Sequence, residues 1–236
     1  KLAGAVFGGV PAEALELADG GIRIKENPEA FLPFMACGAI INANNAGLPE
    51  DLGVTLNCRY VYRPPFEVPD VERKYGNLTL TYAAQVHVAV IEIDPETGAY
   101  DVVDYSAVDD CGNMLNPMVV EGQVHGSLAN GLGQALLENA VYDSGGQLVT
   151  GSFMDYAMPH AHDMPIELRE QILAVPATTN PLGVKGTGEA GTTAAIAALM
   201  NAIAHAIPNG AADHMDMPAT PGKVWNACQQ ALAKEA

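Results

Sequence analysis

The sequence predicts an α+β protein of mixed sheets with packed helices, and three observations carry that prediction. Two alternating segments, AAQVHVAVIEID and AYDVVDYSAVDD, flank the turn PETG and read as a strand pair. Two apolar stretches further on, VVEGQVHGSLANGLGQALLENAVYD and AAIAALMNAIAHAI, read as helices. Hydrophobic residues make up 49% of the 236 and charged residues only 17%, below the usual share of about a quarter. Such a chain buries much of its surface, internally or against partners.

Residues 1–48 read as a weak helix, a short hairpin and a second helix. The hairpin centres on Asp19-Gly20-Gly21, because ALELADGGIRIKENPEA alternates on both sides of that turn signal. FLPFMACGAIINANNAG is apolar enough for the second helix. Residues 49–82 read as irregular. RPPFEVPDVERKYGN holds three prolines and mixed charge, the composition of a long loop lying on a surface, its own or a partner's.

The strand pair follows, and its turn has a stated cause: Pro95 presets one φ and Gly98 accepts a positive one. CGNMLNP ends the second strand. The next helix carries Gly122, Gly126, Gly131 and Gly133. Each interior glycine costs about 1 kcal/mol against alanine, so close packing on another backbone or on a ligand is expected. DSGGQLVTGSFMDYAMP reads as a hairpin turn and strand, and AHDMPIELREQILAV as a proline-started segment ending in a strand. PATTNPLGVKGTGEAGTT is a loop, and AAIAALMNAIAHAI the last core helix. A proline-initiated helix in MPATPGKVWNACQQALAKEA closes the chain. No repeat, low-complexity tract or flexible linker divides residues 1–236, which read as one domain.

A net charge of −17 argues against a basic face for duplex DNA or anionic membrane. No run of about 18 apolar residues marks a membrane span, and the N-terminus lacks the apolar core of a signal peptide. These features predict a cytoplasmic protein. The chain opens at Lys1 as if inside a helix, like a piece of something longer. Cys37, Cys58, Cys111 and Cys228 form no CxxC pair, so they read as reduced structural thiols rather than a zinc or iron–sulfur cradle.

The chemistry concentrates in GVKGTGEAGTT, residues 183–193. Gly186 to Gly191 spells G-x-G-x-x-G, yet a proline-broken loop precedes it and no acidic residue follows in the helix, so the dinucleotide-binding context is missing. Glycines let a backbone approach a ligand closely, and amides at a helix start hold anions. A glutamate there, Glu189, has two readings. It stabilises the N-terminus of the following helix, or it is a general base delivered to a reacting centre. Elsewhere, His87 in the strand reads as structural, Asp109-Asp110-Cys111 as a strand end and turn, and His125 as helix packing. His160 and His162 have metal-like spacing but no third ligand nearby.

Three stretches carry a resemblance to a known family: VDDCGNMLNPMVVEGQVHGSLANGLGQALLENAVYDSGGQLVTGSFMDYAMP, TNPLGVKGTGEAGTTAAIAALMNAI and HMDMPATPGKVWNA. Together they resemble the molybdenum-binding large subunit of the xanthine oxidase family, in its carbon-monoxide-dehydrogenase-like, aldehyde oxidase-like branch. The likeness runs back through AQVHVAVIEIDPETG to the first residues but covers only the C-terminal part of that subunit. The resemblance implies a domain that is not complete by itself, and a hydroxylation that adds water-derived oxygen to an electron-poor carbon. Glu189 matches the family's catalytic base, Gln123 its cofactor-touching glutamine, and Lys185, Gly186 and Gly188 the loop backbone around the cofactor. It further implies a molybdenum–pterin cofactor, molybdopterin cytosine dinucleotide in this branch. Iron–sulfur clusters would sit on a small partner subunit and FAD on a medium one, with another polypeptide segment supplying the rest of the pocket. A non-catalytic assembly subunit and a stand-alone nucleotide-binding domain are the competing readings. Loss of the glutamate would favour the former, but Glu189 is present.

Overall fold

The computed structural model describes residues 1–43, 48–49, 52–53 and 59–234. The chain divides into two compact units, Lys1–Arg63 and Pro64–Ala236.

In the first unit, helix α1 (Leu2–Val6) leads to strands β1 (Leu15–Ala18), β2 (Gly21–Ile24) and β3 (Asn27–Pro33), then helix α2 (Phe34–Ala43). The expected hairpin is there: Ala18 pairs with Gly21 across Asp19 and Gly20, whose φ values of 51° and 75° are those of a two-residue turn that follows strand twist. The third strand, β3, was not foreseen. Its two prolines obscure the alternation, and the sheet tolerates them because β3 lies at the edge of the order β1-β2-β3. Leu2, Ala3, Leu32 and Cys37 form this unit's small core.

The second unit opens with a segment expected to be irregular throughout. It contains a short hairpin, β4 (Glu67–Asp70) with β5 (Tyr75–Asn77). The main sheet follows: β6 (Gln85–Ile93) pairs antiparallel with β7 (Tyr100–Asp109), as predicted, and β8 (Glu167–Ile172) lies parallel to β7. Helix α3 (Pro117–Leu132) starts where CGNMLNP ends the strand. Asn116 accepts from the Val119 amide at 3.3 Å, and Pro117 takes the first helical position. The helix runs into one wide turn at Gly133–Leu137. Helices α4 (Thr192–Ala206) and α5 (Pro221–Ala233) complete the unit. The strand expected in DSGGQLVTGSFMDYAMP is absent: a single bridge between Tyr142 and Leu148 closes the hairpin turn and the chain continues in turns.

One apolar core joins these elements, with Tyr105, Leu128, Leu132, Leu199, Ile203 and Val224 fully buried. The glycines of α3 divide in use. A Cβ at Gly131 would stand 2.8 Å from both the Thr192 carbonyl and the Ala195 Cβ, so this glycine sets the close approach of α3 to α4. Gly122 and Gly126 face open space instead. Cys37, Cys111 and Cys228 are buried free thiols; Cys58 lies outside the described residues. Among the described residues no helix is long and apolar enough to cross a membrane.

Candidate functional site

The glycine loop between β8 and α4 is held at its base by a carboxylate. Asp110, one residue past β7, accepts from the Gly112 amide at 2.8 Å and the Val175 amide at 3.1 Å through one oxygen. The other oxygen takes the Lys185 ammonium. Both side chains are largely buried, at 7% and 12% exposure. Burial alone would push the Asp110 carboxyl upward. The Lys185 cation and the two amides outweigh it and hold the group below the usual carboxylate range. Lys185 also donates its amide to the Cys111 carbonyl at 2.9 Å. Thus its side chain fastens the loop, and its backbone continues the contact.

Beyond Lys185 the loop opens. Gly186 and Gly188 have no atom within 4 Å of where a Cβ would sit. The amides of residues 186–189 donate to no group among the described residues. Together with Glu189, Ala190, Thr193 and Ala194, these glycines line a cavity of about 740 Å³ whose other wall is Thr81 to Ala83 and Gln85. The Thr187 hydroxyl is buried without a partner. Buried hydroxyls in folded proteins are normally satisfied; this one is not, and Thr187 itself does not line the cavity.

Glu189 is exposed at this cavity, and its carboxylate has no partner among the described residues. Its main chain, by contrast, is fixed on both sides. The Gly188 carbonyl accepts from Ser127 Oγ of α3 at 3.1 Å, and the Glu189 carbonyl accepts from Gln85 Nε2 of β6 at 3.2 Å. Gly191, at φ 97°, precedes α4. A Cβ there would lie 2.9 Å from the Val124 carbonyl, so only glycine lets the loop lie against α3. Nor does Glu189 cap α4. The Ala194 amide of the first turn donates to Gln85 Oε1 at 3.2 Å, so the capping comes from a strand more than 100 residues away in sequence.

The structure therefore brings Gly186, Gly188 and Glu189 to one cavity and places Lys185 at the loop's base. Gln123 lies on the exposed face of α3, one turn before Ser127, and does not line the cavity. Sequence reasoning missed Gln85. It occupies an inward position of an alternating strand and belongs to no motif, so only the fold reveals it.

The other singled-out residues have structural partners. The His87 side chain is fully buried, with Nδ1 2.7 Å from the Tyr105 hydroxyl and Nε2 3.3 Å from the Asp109 carboxylate. Burial, then the nearby Asp109, pushes the Tyr105 hydroxyl well above its ordinary value. His125 stands 3.0 Å from Glu170 of β8, whose carboxyl is pushed up chiefly by burial. His160 and His162 stack on each other beside Asp163. Among the described residues no group of His, Cys, Asp or Glu is placed to hold a metal ion. No strand immediately precedes Gly186, which removes the dinucleotide-binding context as expected.

Comparison with known proteins shows the family. The pattern of the molybdopterin cofactor-binding domain matches residues 1–165. The chain is 38% identical over 156 residues to the 6-hydroxypseudooxynicotine dehydrogenase complex subunit gamma of Paenarthrobacter nicotinovorans, covering 66% of this chain and 19% of the relative. It is 32% identical over 182 residues to the carbon monoxide dehydrogenase large chain of Hydrogenophaga pseudoflava, covering 77% and 21%. The crystal structure of quinoline 2-oxidoreductase from Pseudomonas putida 86 superimposes with a TM-score of 0.78 at 33% identity, over 97% of this chain and 27% of that one. The chain thus spans about one fifth of the length of these curated relatives. It belongs to the molybdopterin cofactor-binding domain family, as found in the large subunits of xanthine oxidase family molybdenum hydroxylases.

Proposed function

We propose that this chain supplies the base-bearing wall of the active site in a molybdenum hydroxylase, with Glu189 as the catalytic base. The observation that carries the reading is the contrast at Glu189: an exposed, unpartnered carboxylate on a main chain held from both sides. A carboxylate that served the helix end would bond the first-turn amide, but Gln85 takes that bond. A free carboxylate on a fixed backbone is what proton transfer needs, because position is set before the substrate arrives. Glu189 would accept a proton on a carboxylate oxygen from the water-derived group that adds to an electron-poor carbon of the substrate, and the two electrons released as that carbon is oxidised would pass to the cofactor when it is bound.

The residues fit a pterin-type cofactor. Open glycines at 186 and 188 and undonated loop amides offer hydrogen bonds with room for close approach. When bound, such a cofactor supplies the two-electron redox chemistry. Gly186 and Gly188 would line it, Lys185 would hold the loop to it through Asp110, and Gln123 would reach it from α3. The family resemblance, not the comparisons, extends the proposal to a cytoplasmic complex. In that complex the cofactor is the cytosine dinucleotide form, a further segment completes the pocket, and separate subunits carry iron–sulfur clusters and FAD.

Metal and pterin analysis of the native complex tests this, with the Glu189→Gln variant alongside. Quinoline, 6-hydroxypseudooxynicotine and carbon monoxide serve as trial substrates and a redox dye as acceptor. The variant is expected to keep molybdenum and pterin but to lose turnover by at least about 100-fold, the lower end of the range for general base catalysis. Normal turnover by the variant, or a native complex without molybdenum, overturns the proposal.

A further inference from the structure

We infer that Gln85 is the positioning residue of Glu189: one amide side chain fixes both the peptide that carries the base and the start of the helix behind it. The inference rests on the reading of Glu189 as the base. Gln85 is the first residue of β6, and nine pairs, with a register shift after Val90, bind that strand to β7. It is therefore anchored to the longest strand pairing of the sheet. Its Nε2 donates to the Glu189 carbonyl and its Oε1 accepts from the Ala194 amide, each at 3.2 Å. The two ends of the amide thus bracket the five residues from Glu189 to Thr193. The linker between them contains Gly191, which has no local side-chain cap.

Among the described residues no other side chain does this. Ser127 holds the Gly188 carbonyl and Thr192 donates to the Ser127 carbonyl, at 3.1 Å and 3.0 Å, so α3 secures the loop from one side only. The β6 side depends on Gln85. The residue also lines the cavity into which Glu189 opens, so its bonds lie beside the site rather than behind it. A glutamine suits the task because it is neutral, carries a donor and an acceptor, and has the reach to serve both partners. Truncation frees the Glu189 peptide and the first-turn amide of α4 together, and displacement of a reacting group by about 1 Å costs up to about 100-fold in rate.

The test uses the whole complex and three changes: Gln85→Ala, Gln85→Glu and Glu189→Gln, singly and with the first and third combined. Molybdenum and pterin content are measured for each. For Gln85→Ala, hydrogen exchange across residues 186–199 is expected to quicken about tenfold. On whichever trial substrate is turned over, kcat should fall about 10- to 100-fold while KM moves less than about threefold. In the Glu189→Gln background, Gln85→Ala should change nothing further, because its effect passes through Glu189. Gln85→Glu keeps the acceptor for Ala194 and removes only the donor to Glu189. Its deficit relative to wild type should shrink as pH falls and the new carboxyl gains a proton to donate, a signature that general loosening would not produce. Unchanged kcat in Gln85→Ala with an inactive Glu189→Gln overturns this inference alone. An active Glu189→Gln overturns the base assignment, and this inference with it.

Discussion

The two faces of the β6–β8 sheet reverse what alternation predicts. On the inner face β6 contributes Gln85 and His87 before it turns apolar at Ala89, Ile91 and Ile93. On the outer face it presents Val86, Val88 and Val90, at 65%, 58% and 48% exposure. A reader of the alternation QVHVAV would bury the valines. The fold instead buries the polar residues, because each has a partner there: His87 meets Tyr105 and Asp109, and Gln85 meets the loop before α4. Burial of a polar group is costly only when its hydrogen bonds are lost. The inner face thus holds the site in place, and the outer face leaves apolar surface uncovered in this chain.

The inner face is the more sensitive. Tyr105→Ala removes a fully buried ring and the partner of His87, and should lower stability by about 3–5 kcal/mol, read from denaturant midpoints. A loss under about 1 kcal/mol would mean that the buried side is not the one holding the unit together. Gly131→Ala intrudes on the α3–α4 contact that covers this face, and about 1–3 kcal/mol should be lost. If α4 shifts instead, exchange near Thr192 and Ala195 will quicken at little cost in stability.

A pH titration separates the loop's base from its tip. The Asp110 carboxyl is held below its unfolded value, about 3.9 for aspartate. A depressed carboxyl stabilises the fold above that value and loses the contribution as pH falls through the folded one. The contact of Asp110 with Lys185 should therefore persist through neutral and mildly acidic pH and release only below the ordinary carboxylate range. Exchange of the residue 184–185 amides against pH reads this directly, and release near pH 6 would contradict it. The smallest effect belongs to the outer face. Val88→Thr should change stability by less than about 0.5 kcal/mol. A loss comparable to that of Gly131→Ala would show that this valine face is covered within the protein.

Much of the architecture was legible because local chemistry dictates it. The PETG turn, the Asp19-Gly20 hairpin and the proline-started helix at Pro221 each follow from the φ a residue can adopt and the amide it lacks. β3 was missed because its prolines sit at a sheet edge, which only the pairing defines. The strand expected after the turn at Asp143 did not form because Ser152 closes local turns instead: its carbonyl accepts from the Asp155 and Tyr156 amides and its hydroxyl donates to Asp155.

The site divides along the same line. The sequence by itself determined that a glycine loop with one glutamate precedes an apolar helix, because spacing along the chain is covalent and motifs survive in it. Only the tertiary structure decided that Asp110 takes the Lys185 charge, that Glu189 keeps its carboxylate free, and that Gln85 caps a helix more than 100 residues distant. Those outcomes depend on which polar groups meet when apolar faces are buried together. Hydrogen bonds between distant segments leave no period or spacing in the chain that makes them.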